Sequence, residues 1–464
     1  MPAPAGTVML LRMSRPLSSL DATFLELEDA DDAAHMHIGA VMVFEARAEG
    51  PPNIERLRSE IESRSERLPL YRSRLSGSHV GPLRRPAWEP DPEFDIEEHV
   101  RRAALPAPGG ERELMDWCAE YWSERLDRSR PLWEAVLLEG LEGGRWALAT
   151  KTHHAVIDGV GAADAGQLLL DISRRGSRRP PPRGRADEEA EPQGLADQLG
   201  HLVRGGARLV SHPSRLLAEA KSAAELMIRE ELVPAPATSL NVPIGPHRRY
   251  AVARARLIDL KAIKNTFGGT VNDVVLAAAA GGLRRLLAQR GEILPEHGVR
   301  AMVPVNLRGD GEGKQMGNRV STLFVHLPVC EPDPLRRYQV VAGETAELKG
   351  GGMARSGAEL IALAALTPPV LHSVLARATS GARLFNVTVT NVPGPQRPLY
   401  AFGARLEEVL PLVPLAADHA VGIAVVSYNG KVFFGLSADA RAAPDLDVLR
   451  TGIEESIAEL RARR

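Results

Sequence analysis

A run of twenty residues decides how the rest of this chain can be organised. From Arg175 to Gly194 it reads RGSRRPPPRGRADEEAEPQG, a basic, proline-rich block passing into an acidic one. Burial of so little apolar surface cannot offset the entropy of ordering the backbone, so a disordered, solvated linker is expected there. It divides a chain of 464 residues, long for one compact core, into two parts. Before it, residues 14–28 carry an amphipathic stretch and His37 to Glu45 reads as a strand. Ile54 to Arg67 and Gly109 to Leu126 have helical spacing, and Trp133 to Leu141 and Arg145 to Thr152 read as strands around the turn Glu142-Gly143-Gly144. A helix is expected from Gly161 to Arg174, with two more at 195–211 and 214–232. In the second part, strands are expected at Tyr250 to Leu257, Arg300 to Asn306, Ser321 to Pro328 and Asn386 to Thr390. A hairpin turns at Asn429-Gly430, and a helix opens at Thr270, where Thr270-Val271-Asn272-Asp273 has capping-box form. The pattern predicts an α/β protein of two mixed-sheet domains with a site between them. Residues 13–174 and 247–464 form the domains, 175–246 the linker (disordered over 175–194) plus connecting helices, and 1–12 a disordered extension ahead of Met13.

Composition excludes several classes. Lys and Arg number 57 against 59 Asp and Glu, a net charge of −2 that gives no electrostatic ground for binding nucleic acid. Cys118 and Cys330 are the only cysteines, so no disulfide framework or thiolate metal cluster is expected, and a reducing cytoplasm fits. No apolar run approaches the roughly 18–20 residues of a bilayer span. Val274 to Leu283 and Leu360 to Leu371 come nearest, the second broken by Pro368-Pro369. Val8-Met9-Leu10-Leu11 before Arg12 lacks the apolar core and cleavage site of a secretory signal.

The candidate chemistry lies in His153-His154-Ala155-Val156-Ile157-Asp158-Gly159, where a strand ends and a helix is expected soon after. A neutral imidazole there can take a proton from a hydroxyl near neutral pH. A thioester donor is already activated, so a base and an oxyanion stabiliser suffice without a protein nucleophile. Consistent with that, Gly77-Ser78-His79-Val80-Gly81 has its serine one place too early for a nucleophile elbow. Asp158 would fix the loop by an ion pair or a cap, and Gly159 would allow a tight turn or a close approach to substrate. Paired histidines alone are more often core or surface residues. A metal reading needs a third ligand, which Asp158 could supply, but no His-x-x-x-His or cysteine pair supports it.

The complete pattern His-His-x-x-x-Asp-Gly resembles the signature of the chloramphenicol-acetyltransferase-like superfamily. Pro16-Leu17-Ser18-Ser19-Leu20-Asp21, Phe24-Leu25 and Met36-His37-Ile38-Gly39 look like the start of bacterial wax ester synthase/diacylglycerol acyltransferases. The same family is suggested by Leu126 to Glu134 (LDRSRPLWE), Asn272-Asp273, Val303 to Arg308 (VPVNLR), Gly317-Asn318-Arg319 and Thr390 to Pro395 (TNVPGP). The resemblance implies two chloramphenicol-acetyltransferase-like domains, each a mixed sheet with helices, and an active-site tunnel at their interface. It implies acyl-CoA as co-substrate, no cofactor and no metal, and diacylglycerol or long-chain fatty alcohol as acceptor. His154 becomes the general base, supported by His153 and Asp158, with Gly159 keeping the channel open. Asn272 and Asp273, and Asn306 and Arg308, become candidate substrate-binding residues. Each has a plainer role: Asp273 as a helix cap, Asn306 and Arg308 as a structural network, Pro131-Leu132-Trp133 as core and Pro393-Gly394 as a turn. Location is expected to be cytoplasmic, with peripheral contact to the inner face of the plasma membrane or to lipid inclusions. Two alternatives remain: a condensation-type transferase using carrier-protein thioesters, and an inactive lipid-binding homologue.

Overall fold

The computed structural model describes residues 15–17, 19–66, 68–76, 86–157, 169–176, 234–306, 320–350 and 384–464. Asp158, Gly159, Arg308, Gly317-Asn318-Arg319, the expected helices at 195–211 and 214–232, most of the linker and Leu360 to Leu371 lie outside these residues, as does the Asn306 side chain.

Four strands of the first part are β1 (His37–Phe44), β2 (Val100–Ala104), β3 (Trp133–Glu139) and β4 (Trp146–His153). The second part contributes β5 (Arg248–Arg256), β6 (Val299–Asn306), β7 (Val320–Leu327) and β8 (Val387–Pro393). It continues with β9 (Tyr400–Ala401), β10 (Ala404–Leu412), β11 (Val421–Tyr428) and β12 (Lys431–Asp439). They form two six-stranded mixed sheets in the orders β9-β10-β1-β4-β3-β2 and β7-β6-β8-β11-β12-β5. The second part therefore lends two strands to the first sheet: β10 runs antiparallel to β1, from Leu406 opposite Phe44 to Leu412 opposite Gly39.

The β11–β12 hairpin turns where expected, with Asn429 and Gly430 both at positive φ (45° and 81°), the backbone that a tight two-residue turn requires. The helix expected to run to Arg174 does not reach it. Residues 169–176 form turns, and Asp171 exchanges backbone hydrogen bonds with Tyr400 (2.6 and 2.9 Å) instead of continuing a helical ladder.

The longer helices among the described residues are α1 (Ser19–Ala30), α2 (Ile54–Ser65), α3 (Glu111–Ser123), α4 (Leu257–Phe267), α5 (Val271–Gln289), α6 (Pro334–Gly350) and α7 (Leu446–Ala462). Every residue of α5 from Asp273 to Leu283 is buried, so the apolar run in this segment makes a core helix rather than a surface one. No helix among the described residues is long and apolar enough to cross a membrane.

Side chains tie the two sheets as well. Tyr250, Val252 and Phe433 of the second sheet sit in the core of the first with Trp122, Trp133 and Trp146. Arg254 on β5 bridges Glu111 on α3 at 2.7 Å and Glu408 on β10 at 2.8 Å. The Arg248 guanidinium donates to the Ala33 carbonyl, and its backbone N–H to Ser123 Oγ at 2.8 Å.

Candidate active site

The histidine pair closes β4, the strand held between β1 and β3. His153 lies directly across from His37, and its N–H donates to the Leu132 carbonyl at 2.9 Å. The His154 N–H donates to the Met36 carbonyl at 2.8 Å. Two stretches singled out in the sequence, Met36-His37 and Pro131-Leu132-Trp133, are thus the backbone walls of the site. Gly39 lets the walls close: a Cβ there would sit 2.1 Å from the Thr150 carbonyl oxygen. Leu132 and Trp133 are buried core residues.

The two histidines have different environments. His153 is 1% exposed, and its Nδ1 accepts the Ala155 N–H at 3.0 Å. A nitrogen that accepts carries no proton, so a neutral ring holds its proton on Nε2. His154 is half-buried, and its ring stacks on Phe24 at a centroid distance of 4.0 Å. Only His154 of the pair is open to a substrate.

Behind His153 stands a carboxylate. Glu28, 2% exposed on α1, places Oε2 at 3.4 Å from His153 Nε2 and Oε1 at 3.5 Å from His37 Nε2. Arg128 holds the carboxylate through Nη2 at 2.5 Å and Nε at 3.0 Å, with Arg125 at 3.5 Å. Burial alone would raise the pKa of Glu28, but its contacts with His153, His37 and Arg128 outweigh burial and hold it well below the carboxylate range. Burial holds His37 well below the ordinary histidine value, Lys151 acting in the same direction. Lys151, on β4 itself, is fully buried, with Nζ at 2.7 Å from Glu134 and 2.9 Å from the carbonyls of Tyr121 and Glu124.

On the second sheet, Asn272 and Asp273 occupy the first turn of α5. Thr270 caps this helix as expected: its N–H donates to Asp273 Oδ2 at 2.7 Å, and its hydroxyl accepts the Asp273 N–H at 3.3 Å. Asp273 Oδ1 accepts the Thr345 hydroxyl at 2.8 Å, so both carboxylate oxygens are engaged within the protein. Asn272 Oδ1 accepts from Asn391 Nδ2 on β8 at 3.1 Å, joining two motifs 119 residues apart. That bond occupies the carbonyl end of the Asn272 amide. Asn306 lies at the end of β6.

Glu28 and the role of Phe24 were not singled out from the sequence. Their spacing on an amphipathic stretch was a signal, because positions four apart share a helix face. No group of three His, Cys, Asp or Glu among the described residues could hold a metal ion.

Comparisons with known proteins bear on the family and the fold. Residues 17–275 match the wax ester synthase/diacylglycerol acyltransferase catalytic domain, and residues 316–461 match the C-terminal domain of that family. A protein described as a probable diacylglycerol O-acyltransferase of Mycobacterium tuberculosis is 35% identical over 459 residues, covering 96% of this chain and 95% of the relative. A second from the same organism, similarly described, is 34% identical over 451 residues, 95% and 97% of the two chains. Among solved structures, the wax ester synthase/diacylglycerol acyltransferase of Marinobacter aquaeolei VT8 superposes with a TM-score of 0.70 at 29% identity, covering 97% of this chain and 99% of that one. The first condensation domain of the calcium-dependent antibiotic synthetase superposes with a TM-score of 0.63 at 20% identity, over 97% and 96%, a likeness of fold alone. The expected chloramphenicol-acetyltransferase-like fold is borne out, and the chain belongs to the wax ester synthase/diacylglycerol acyltransferase family.

Proposed function

We propose that this acyltransferase moves a long-chain acyl group from acyl-CoA to the free hydroxyl of diacylglycerol, and also of long-chain fatty alcohols, with His154 as general base. One observation carries the assignment within the pair: His153 is sealed and its Nδ1 taken, while His154 is half-buried and held by a ring face. In this scheme His154 removes the acceptor proton as the oxygen attacks the thioester carbonyl. The amide of Asn272, fixed by Asn391, donates to the oxyanion that forms. Collapse breaks the carbon–sulfur bond, and the imidazolium returns the proton to the departing CoA thiolate. The family names of the relatives support the acyl donor and acceptor classes. A tunnel between the two sheets would let the substrates enter from opposite sides. Hydrophobic acceptors favour peripheral contact with a membrane surface or lipid inclusion.

The test is release of CoA thiol from a long-chain acyl-CoA with diacylglycerol and fatty alcohol as acceptors. His154→Ala is expected to lose about 10²-fold or more in kcat with its circular dichroism unchanged. Wild-type turnover in that variant would remove His154 as base. Turnover with acylated carrier protein but none with acyl-CoA would move the donor to the condensation class.

A further inference from the structure

Helix α1 places two side chains against the histidine pair. The Phe24 ring stacks on His154 at 4.0 Å, its plane tilted by only 20°, and Glu28, one turn later, faces His153 at 3.4 Å. Residues four apart share a helix face, so one rigid element reaches both rings. The helix is itself seated on the site. Leu17 and Leu25 share a buried cluster with Leu132, Ala155 and Val156, the last two following the histidines directly. Arg128 pins the helix end by pairing with Glu28 and Asp29 and donating to the Leu25 carbonyl at 3.3 Å.

We infer that Phe24 and Glu28 are positioning residues forming a two-point clamp, Glu28 holding the proton of His153 on Nε2 and Phe24 fixing the ring plane of His154. The inference rests on the reading of His154 as the base. A ring-face contact orients an imidazole while spending neither nitrogen, and a carboxylate facing Nε2 favours the tautomer whose Nδ1 accepts from Ala155. Displacement of a reacting group by about 1 Å can lower a rate 10²-fold, which is the scale on which such a clamp acts.

The cations around Glu28 are Arg125 and Arg128 from the segment after α3, and the rings of His35, His37 and His153 face it too, with Lys151 beyond His37. Neutralising the carboxylate removes the buried anion that faces Arg125 and Arg128, so a nearby imidazole becomes harder to protonate. The acid limb of the pH profile then moves to lower pH.

The experiment measures kcat, KM for acyl-CoA and the pH profile in Glu28→Gln, Phe24→Leu and the double variant Glu28→Gln/Arg128→Gln. Glu28→Gln is expected to lower kcat about 10–100-fold, leave KM within about twofold and shift the acid limb downward. Phe24→Leu keeps an apolar group and is expected to lose about tenfold in kcat without that shift. Should Glu28→Gln fail to fold because Arg128 is stranded, the double variant removes both charges. It is expected to recover Tm but not kcat. Recovery of kcat and of the wild-type pH profile would reduce Glu28 to a partner of Arg128 and overturn the clamp. So would wild-type kcat in both single variants, provided His154→Ala is inactive. An active His154→Ala overturns the base assignment, and the clamp with it.

Discussion

At Glu28 burial and pairing act in opposite directions, and pairing wins. Its folded pKa lies below the unfolded value of about 4.3, so the stabilisation is complete above that pH and is lost as pH falls below it. Buried histidines act over a higher window. Burial lowers His35 to about 4, holds His37 well below its usual value and lowers His99 too. Each stays neutral in the fold while the unfolded chain protonates below about pH 6.5, so each contributes stability above that pH and loses it below, at up to about 1.4 kcal/mol per pH unit. Denaturant midpoints are therefore expected to fall steadily from pH 7 to about pH 5, and His35→Gln to flatten that slope. A pH-independent midpoint would contradict the assignment of neutral buried rings.

Among the elements, α5 is the one whose ends and interior carry separate jobs. Its interior is core, while its first turn holds Asn272 by way of the Thr270–Asp273 box. Thr270→Ala is expected to lower stability by about 1 kcal/mol, and Asp273→Ala by about 1–3 kcal/mol because it strands the Thr270 N–H and leaves the Thr345 hydroxyl only the Ala342 carbonyl at 3.2 Å. Thermal melts check both values. The box and the Asn429-Gly430 hairpin were legible in the sequence because their determinants are local: a hydroxyl three residues from a carboxylate, and two residues that tolerate positive φ. Strand β10 was not, since Glu407, Glu408 and Pro411 dilute its pattern and its partner lies in the other part of the chain. The site divides the same way. His153-His154 stood out as a motif, whereas no motif marked Glu28, and only the meeting of α1, β1, β4 and Arg128 shows it buried.

At the scale of the molecule, the two parts of the chain share the first sheet, its core and the Arg254 bridge. Residues 13–246 expressed alone would leave β1 without β10, an open edge of buried-type residues. That fragment is expected to be insoluble, and co-expression with residues 247–464 to recover soluble, co-eluting material. A soluble, monomeric fragment would show that β10 is dispensable to the first sheet.

The lent strand also sets a timetable. On the ribosome, β1 to β4 emerge long before β10, and the first sheet cannot be completed until residue 412 has cleared the exit tunnel. At roughly 5–20 residues per second, the nascent chain carries an unfinished sheet for tens of seconds. Slowing translation in that interval should lengthen its dependence on chaperones, whereas slowing it after residue 412 has cleared the tunnel should not.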